Sequence, residues 1–235
     1  MNAKGLIFDY GGTIDTNSVH WSEVLWDGFV AADIQVAKSA FREAYVQGEQ
    51  TLAQKPLILP NYTMLDLLRI KVNIETRYLR EKGIWNVSEA ERVVKAERVA
   101  YRCYEHVQSV INTSREVLLY LSDRYHLALV TNFYGNIHAV LRDLHIECFP
   151  IVIESAVVGV RKPDPRIFQM GIDALGLKPE DTIVIGDSYS KDIVPAATLG
   201  CQTIWVRGKG WDNEAVEESL PTAIINHLKE LTTLL

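Results

Sequence analysis

The spacing of hydrophobic positions changes twice along this chain. Residues 5–8 form a short apolar run, the stretch from about residue 20 to 108 has apolar side chains at helical spacing, and from about residue 114 short β-branched runs alternate with helical segments. The middle stretch predicts four helices, over 20–32, 37–54, 63–83 and 88–108. Pro56 and Pro60 separate the middle two, and Thr63 and Ser88 are expected N-caps.

The later apolar runs predict strands that are buried on both faces. They are "HLALVTN" at 126–132, "IVIES" at 151–155, "TIVIGDS" at 182–188 and "QTIWVRG" at 202–208. Near-continuous apolar strands that alternate with helices are typical of a parallel sheet covered on both sides. "GLIFD" at 5–9 is a strand of the same kind. We therefore predict an α/β core domain formed by residues 1–15 and 110–235, with residues 16–109 inserted as a helical cap domain.

Composition and charge narrow the class of protein. The chain has 235 residues, 48% hydrophobic and 23% charged residues, and a net charge of −6, which predicts a globular protein and disfavours a broad nucleic-acid surface. Three widely spaced cysteines without a CxxC pair indicate free thiols. Because there is neither a signal-peptide pattern nor a long apolar run, we expect a cytoplasmic protein that does not bind membranes or nucleic acid.

The residues that follow the predicted strands are the candidates for a site, because ligands of such sheets bind beyond the carboxyl ends of the strands. Asp9 follows the first strand, Thr131 and Asn132 end the second, and Asp187 follows the strand at 182–186. Asp192 lies five residues after Asp187. Carboxylates gathered at one edge repel each other unless a cation is present, and Mg²⁺ fits an oxygen-rich site of this kind.

The neighbouring polar residues suit an anion beside that metal. Thr131 and Asn132 offer a hydroxyl and an amide, and Lys162, in the loop after the strand at 151–155, offers a positive charge. Gly11 and Gly12 allow a close approach of backbone N–H groups to a ligand. The set favours phosphoryl transfer, in which an aspartate can act as the nucleophile.

Four ordered segments carry a family resemblance. "FDYGGT", "LVTN", "VRKPDPRIF" and "IGDSYSKDI" resemble the four motifs of the haloacid dehalogenase (HAD) superfamily. The resemblance implies a Rossmann-like parallel sheet core, Mg²⁺, and a helical cap inserted after the first motif. It also implies a hydrolase, most often a phosphatase that acts through an aspartyl phosphate on a small phosphorylated substrate. We expect such a protein to be a monomer or a homodimer.

The resemblance assigns roles to the matching residues. Asp9 would be the nucleophile and a metal ligand, and Thr131 would bind phosphoryl oxygens. Lys162 would balance the negative charge of Asp9 and of the phosphate. Asp187 would bind Mg²⁺, and Asp192 would be a second acidic contact or an orienting group. The expected phosphate-binding set is Gly11, Gly12, Thr131, Asn132 and Lys162, and the expected metal set is Asp9, Gly11, Asp187 and Asp192.

Position 11 departs from the motif of HAD phosphatases, which usually have Asp there. The backbone carbonyl of Gly11 could still bind Mg²⁺, but the carboxyl group that protonates the leaving group is missing, a loss typically worth about 10²- to 10⁴-fold in rate. Tyr10, Asp15 and His20 are candidate replacements. The aromatic residues of the cap, with His20 and Trp21 first among them, could line a substrate pocket over the site.

Gly11 is compatible with three further classes of protein. A 2-haloacid dehalogenase needs no leaving-group acid, but such enzymes usually lack the metal-binding acid, whereas Asp187 is present. A phosphonatase-type hydrolase would use a cap lysine as a Schiff base. The lysines in or near the cap are Lys38, Lys55, Lys71, Lys82 and Lys95. The third class is a binding or regulatory protein that retains the fold without turnover.

Overall fold

A computed structural model describes residues 3–208 and 216–235. Its strands are β1 Gly5–Phe8, β2 His126–Thr131, β3 Ile151–Glu154, β4 Thr182–Gly186, β5 Gln202–Val206 and β6 Ala223–Ile225. Its α-helices are α1 Trp21–Ala31, α2 Lys38–Gln54, α3 Met64–Glu81, α4 Glu89–Ser122, α5 Ile137–Asp143, α6 Ser155–Val158, α7 Arg166–Leu175, α8 Val194–Thr198 and α9 Leu231–Leu234. Residues 1–2 and 209–215, which the sequence assigns to the core domain, lie outside the described residues.

The six strands form one parallel sheet in the order β3-β2-β1-β4-β5-β6. The strand order reverses between β1 and β4, so the carboxyl ends of these two strands flank the crevice where ligands bind in such folds. Phe8 pairs with Leu129 on β2 and with Ile185 on β4. The predicted α/β, Rossmann-like sheet is confirmed, and β6 is a strand that the sequence prediction missed.

Alternating side chains of the central strands pack on opposite sides of the sheet. Leu6 and Phe8 join a large apolar cluster that continues into helices α1 to α4, whereas Ile7 joins a second cluster with Ile167 and Phe168 of α7. Burial on both faces explains why these strands are almost continuously apolar. Among the described residues, no helix has the length and apolar composition needed to cross a membrane.

Helices α1 to α4 lie between β1 and β2, and we call them the helical insertion. Thr63 caps α3 with both bonds of a capping box shared with Asp66, whereas Ser88 caps α4 by accepting from the N–H of Glu91. The predicted end of the fourth helix at residue 108 is wrong, because α4 continues to Ser122. The predicted boundary at 109/110 therefore falls inside one continuous helix, and the division into two domains stays a prediction.

Candidate active site

Asp9 and Asp187 lie side by side where the strand order reverses. Asp9 follows β1, and its N–H donates to the carbonyl oxygen of Ile185 on β4 at 2.9 Å. Asp187 follows β4 directly. The pairing of the two strands thus brings together carboxylates that are 178 positions apart in the sequence (187 − 9).

A third carboxylate completes an acidic cluster. Asp192 lies in a π-helical turn, Tyr189–Ile193, and its Oδ2 accepts from the N–H of Ser188 at 3.0 Å. Oxygen atoms of Asp9, Asp187 and Asp192 lie within 4.8 Å of one another, a spacing at which they could hold a metal ion. This cluster is the donor set of hard oxygen ligands that a divalent cation such as Mg²⁺ prefers.

Lys162 is the cation within this cluster. Its buried Nζ donates to Oδ1 of Asp9 at 2.5 Å and to Oδ1 of Asp192 at 2.7 Å. The side chain of Asn132 fixes the backbone of Lys162: its Oδ1 accepts from the Lys162 N–H at 2.9 Å, and its Nδ2 donates to the Lys162 carbonyl oxygen at 3.1 Å. Asn132 therefore positions Lys162, while its direct contact with a phosphate stays a prediction.

Thr13 is a site residue that the sequence prediction missed. Its buried Oγ1 accepts from the N–H of Asp187 at 2.9 Å and lies 3.2 Å from Oδ1 of Asp187 and 3.4 Å from Oδ2 of Asp9. Its single hydroxyl proton can serve one of these two carboxylates at a time. Thr13 therefore holds the two acids in register across the strand pair. The signal was its place in "FDYGGT", four residues after Asp9.

The two glycines differ in their surroundings. Gly12 has φ +98°, and a Cβ atom there would lie 2.3 Å from Oδ2 of Asp187. Its N–H donates to Oδ1 of Asp15 at 2.7 Å, so this bond serves the loop itself. A Cβ atom at Gly11 would meet only Nε1 of Trp21, at 3.9 Å. Position 12 therefore requires glycine, whereas position 11 has room for a side chain.

The predicted replacements for the missing acid lie in different places. Asp15 is fully buried and also accepts from Nε1 of Trp21 at 3.1 Å, and its burial raises its pKa to about 7. Tyr10 is fully buried and packs edge-on against Phe133. His20 caps α1 through Ser22, and burial lowers its pKa to about 4. Of the three candidates, His20 is the one that lines the cavity over the site.

That cavity has a volume of about 1060 Å³ and lies between the sheet edge and the helical insertion. The sheet side contributes the three acids, Lys162, Thr131 and Asn132, together with both glycines. The insertion contributes His20, Trp21, Tyr45, Glu49 and Lys71. Of the cap aromatics, Trp21 and Tyr45 thus face the cavity. Trp26, Tyr62, Tyr78 and Tyr104 pack against the apolar cluster, Trp85 is buried in it and Tyr101 is exposed.

Burial disfavours the ionised form of the carboxyl groups in the acidic cluster. It raises the pKa of Asp9 to about 6 against the opposing effect of Lys162, and it raises the pKa of Asp187 well above the ordinary value, with Asp9 and Asp192 adding to the shift. The Lys162 ammonium group is bonded to two of the three carboxyl groups, those of Asp9 and Asp192. A bound divalent cation would compensate the remaining negative charge, so the residues fit such an ion.

Known proteins resemble this chain in sequence and in fold. A phosphoserine phosphatase of Thermus thermophilus is 37% identical over 83 residues, which cover 35% of this chain and 32% of that protein. A glyceraldehyde 3-phosphate phosphatase of Methanocaldococcus jannaschii is 43% identical over 84 residues, which cover 35% of this chain and 36% of that protein. The matched stretches therefore span about a third of the length of these relatives.

A crystal structure of a dehalogenase with an intermediate complex has the same fold, with a TM-score of 0.67 over 100% of this chain and 97% of that one, at 18% identity. The fold defines an α/β protein with a Rossmann-like core, and the cluster of three acids and a lysine lies at the edge of its sheet. The profile of the haloacid dehalogenase-like hydrolases matches residues 3–200, and the chain belongs to this family.

Proposed function

We propose that this hydrolase is a Mg²⁺-dependent phosphatase of a small phosphorylated substrate, with Asp9 as the nucleophile. The observation that carries the proposal is the convergence of Asp9, Asp187 and Asp192 with oxygens within 4.8 Å of one another. Two buried acids, Asp9 and Asp192, and the half-buried Asp187 beside one lysine suit a metal ion and a phosphoryl group together. The sequence relatives, both phosphatases of small phosphate esters, support the same chemistry.

The metal would be held by Asp9 and Asp187, with the carbonyl oxygen of Gly11 as a further ligand. Both oxygens of Asp192 accept hydrogen bonds, from Lys162 and Ser188, which supports an orienting role for this residue. When bound, Mg²⁺ neutralises the carboxylates and the substrate phosphate so that an anionic nucleophile can approach.

Each residue has one part in the proposed reaction. One carboxylate oxygen of Asp9 attacks phosphorus, the bond from phosphorus to the ester oxygen breaks, and the leaving oxygen keeps the electron pair. Lys162 and Thr131 stabilise the charge on the phosphoryl oxygens. Water then attacks phosphorus, releasing inorganic phosphate and the free carboxylate of Asp9. Because Gly11 has no carboxyl group, the leaving oxygen takes its proton from water. His20 lines the cavity, but burial lowers its pKa to about 4, so its imidazole is neutral near pH 7.

A 2-haloacid dehalogenase is the second candidate, favoured by Gly11 and by the fold shared with a dehalogenase. Halide leaves without a proton, so an acid at position 11 is unnecessary for that reaction. The acidic cluster weighs against it, because displacement of halide by Asp9 gains nothing from the two further carboxylates beside it.

A phosphonatase and a regulatory protein without turnover are less well supported. A Schiff base needs a neutral amine, but Lys71, the buried lysine of the cavity wall, is ion-paired with Glu49 and lies over the ring of Tyr45. A regulatory protein has no need of Lys162 bonded to the nucleophile.

Release of phosphate from p-nitrophenyl phosphate and from alkyl phosphates, with Mg²⁺ or with EDTA, tests the proposal. 2-Chloropropionate is assayed in parallel for chloride release. We expect Mg²⁺-dependent phosphate release that is lost in Asp9→Asn. Chloride release that is independent of metal would instead identify a dehalogenase, and binding of phosphate without turnover would favour a regulatory protein.

A further inference from the structure

The wall of the cavity opposite the acidic cluster has a charged group of its own. Glu49 of α2 and Lys71 of α3 form an ion pair, and the Lys71 ammonium lies 4.6 Å from the centre of the Tyr45 ring. The Lys71 side chain is 7% exposed, whereas that of Glu49 is 39% exposed and lines the cavity. The carboxylate is therefore the member of the pair that a ligand can reach.

Glu49 is also bound from the sheet side of the cavity. The hydroxyl of Tyr134, which follows β2, lies 3.2 Å and 3.1 Å from the two carboxylate oxygens of Glu49, and its single proton is donated to one of them at a time or shared between them. Burial by itself would raise the pKa of Glu49, but the ammonium of Lys71 lowers it below its ordinary value. Glu49 thus presents an ionised carboxylate, fixed in place by two donors, to the space above the catalytic site.

We infer that Glu49 recognises the end of the substrate remote from the phosphate and selects a hydroxyl or ammonium group there over a carboxylate. The inference rests on the proposed phosphatase function and adds the chemical class of the substrate. A carboxylate accepts hydrogen bonds and cannot donate them, so its partner on the ligand must be a donor. A second anion at that end would be repelled, because Lys71 is already bound to Glu49 and covered by Tyr45.

The polarity of the cavity is consistent with this orientation. Asp9, Lys162 and Lys191 line it on the sheet side, where the phosphate would bind, and Glu49 faces it from α2. Lys55, which follows α2, is a further ionisable residue that lines the cavity from the insertion, and it is exposed. Lys55 therefore provides a matched control for the effect of charge in the cavity wall.

Calorimetric titration of the Asp9→Asn variant with Mg²⁺ measures recognition without turnover. The probes are O-phosphoethanolamine, glycerol 1-phosphate and phosphoglycolate, whose remote ends carry an ammonium, hydroxyls and a carboxylate. We expect at least one of the first two to bind about ten-fold or more tightly than phosphoglycolate, as one discriminating charge contact would give. Comparison of those two probes identifies which donor is preferred.

Glu49→Gln, made in the same background, should reduce this preference about ten-fold, whereas Lys55→Gln, which removes a positive charge from the cavity wall, should not reduce it. Glu49→Asp keeps the charge and should retain the preference, and the melting temperature of each variant checks its folding. A preference that survives Glu49→Gln, tighter binding of phosphoglycolate, or no binding of any probe would overturn the inference. Phosphate release by the protein with Asp9 intact is scored separately, so failure of catalysis is distinguishable from failure of recognition.

Discussion

The two glycines after β1 differ most sharply in how much space surrounds them. We expect Gly12→Ala to remove most of the phosphate release, because its Cβ atom would meet the carboxylate of Asp187 and its φ of +98° is strained for any L side chain. The cost in stability should be about 1–3 kcal/mol. Gly11→Ala is the matched control. Chemical denaturation and steady-state kinetics should place it close to the wild type, and equal damage at both positions would contradict this account.

Gly11→Asp tests the missing proton donor at the same position. The site has room for a side chain, since the nearest atom to a Cβ there is Nε1 of Trp21 at 3.9 Å. If protonation of the leaving group limits turnover, kcat on alkyl phosphates should rise about ten-fold or more, and kcat on p-nitrophenyl phosphate should rise less. Equal or lower activity on both substrates would mean that the protein relies on another donor or that the site does not admit the carboxylate.

Charged residues of the site could be predicted from sequence because they follow apolar strands. Asp9 and Asp187 are strand-end residues, and parallel pairing guarantees that strand ends meet. Thr13 and Glu49 could not be found in this way. Thr13 acts through a bond to Asp187, 174 positions away, and Glu49 faces the cavity only because α2 and α3 pack together. The place of Thr13 in the motif after Asp9 marks it as a candidate but does not show the bond to Asp187, and a helical glutamate such as Glu49 has no sequence pattern that reveals its partner.

Among the elements, α4 links the helical insertion to the sheet. The sequence predicts its end at residue 108, where the helical spacing of apolar positions ends, because short β-branched runs begin at about residue 114. The helix instead continues to Ser122, and Oγ of Ser114 donates to the carbonyl oxygen of Ile14 at 2.7 Å. A tertiary contact with the loop after β1 therefore explains the polar residue, and the spacing of apolar positions alone predicted the wrong end of the helix.

Arg92 joins α4 to α3 inside the insertion. Its buried guanidinium donates to Asn73 and Thr76 of α3 and to both carboxylate oxygens of Glu89. Arg92→Leu retains a buried hydrocarbon side chain but leaves these acceptors without their donor. It should therefore lower the free energy of unfolding by about 2–4 kcal/mol. Arg98→Leu, at an exposed position of the same helix, should change it by less than about 0.5 kcal/mol. Urea denaturation measures both, and equal effects would contradict the packing role of Arg92.

For the whole molecule, a buried acid makes stability depend on pH. Glu75 is fully buried, its two carboxylate oxygens have no hydrogen-bond partner among the described residues, and burial raises its pKa to about 8. The folded state therefore holds a proton that the unfolded state releases above the ordinary pKa of glutamate. This contribution to stability is complete below pH 4.5 and is lost as the pH rises to about 8.

Glu75→Gln removes that dependence because its amide does not titrate. The free energy of unfolding of the variant minus that of the wild type should therefore increase between pH 5 and 8, by at most about 1.4 kcal/mol per pH unit. Denaturation curves at several pH values test this. A difference between the two proteins that stays constant over this range would mean that Glu75 is ionised in the fold.

The sequence predicts the main architecture of the whole molecule, but it does not predict every strand or the strand order. Apolar strands alternating with helices indicated the parallel sheet, and four helical segments after the first strand indicated the insertion. The sequence did not indicate β6, because Ala223–Ile225 is too short for its pattern to stand out. The strand order also depends on contacts between distant segments, which local periodicity does not contain.

The most direct test of the central claim is the mass of the Asp9 peptide after acid quenching. The protein is mixed with Mg²⁺ and p-nitrophenyl phosphate, quenched at increasing times and digested. We predict that one phosphoryl group appears on the peptide that contains Asp9 and that Asp9→Asn shows none. Release of nitrophenol with an unmodified Asp9 peptide at every time point, and with equal rates in Asp9→Asn, would contradict the claim.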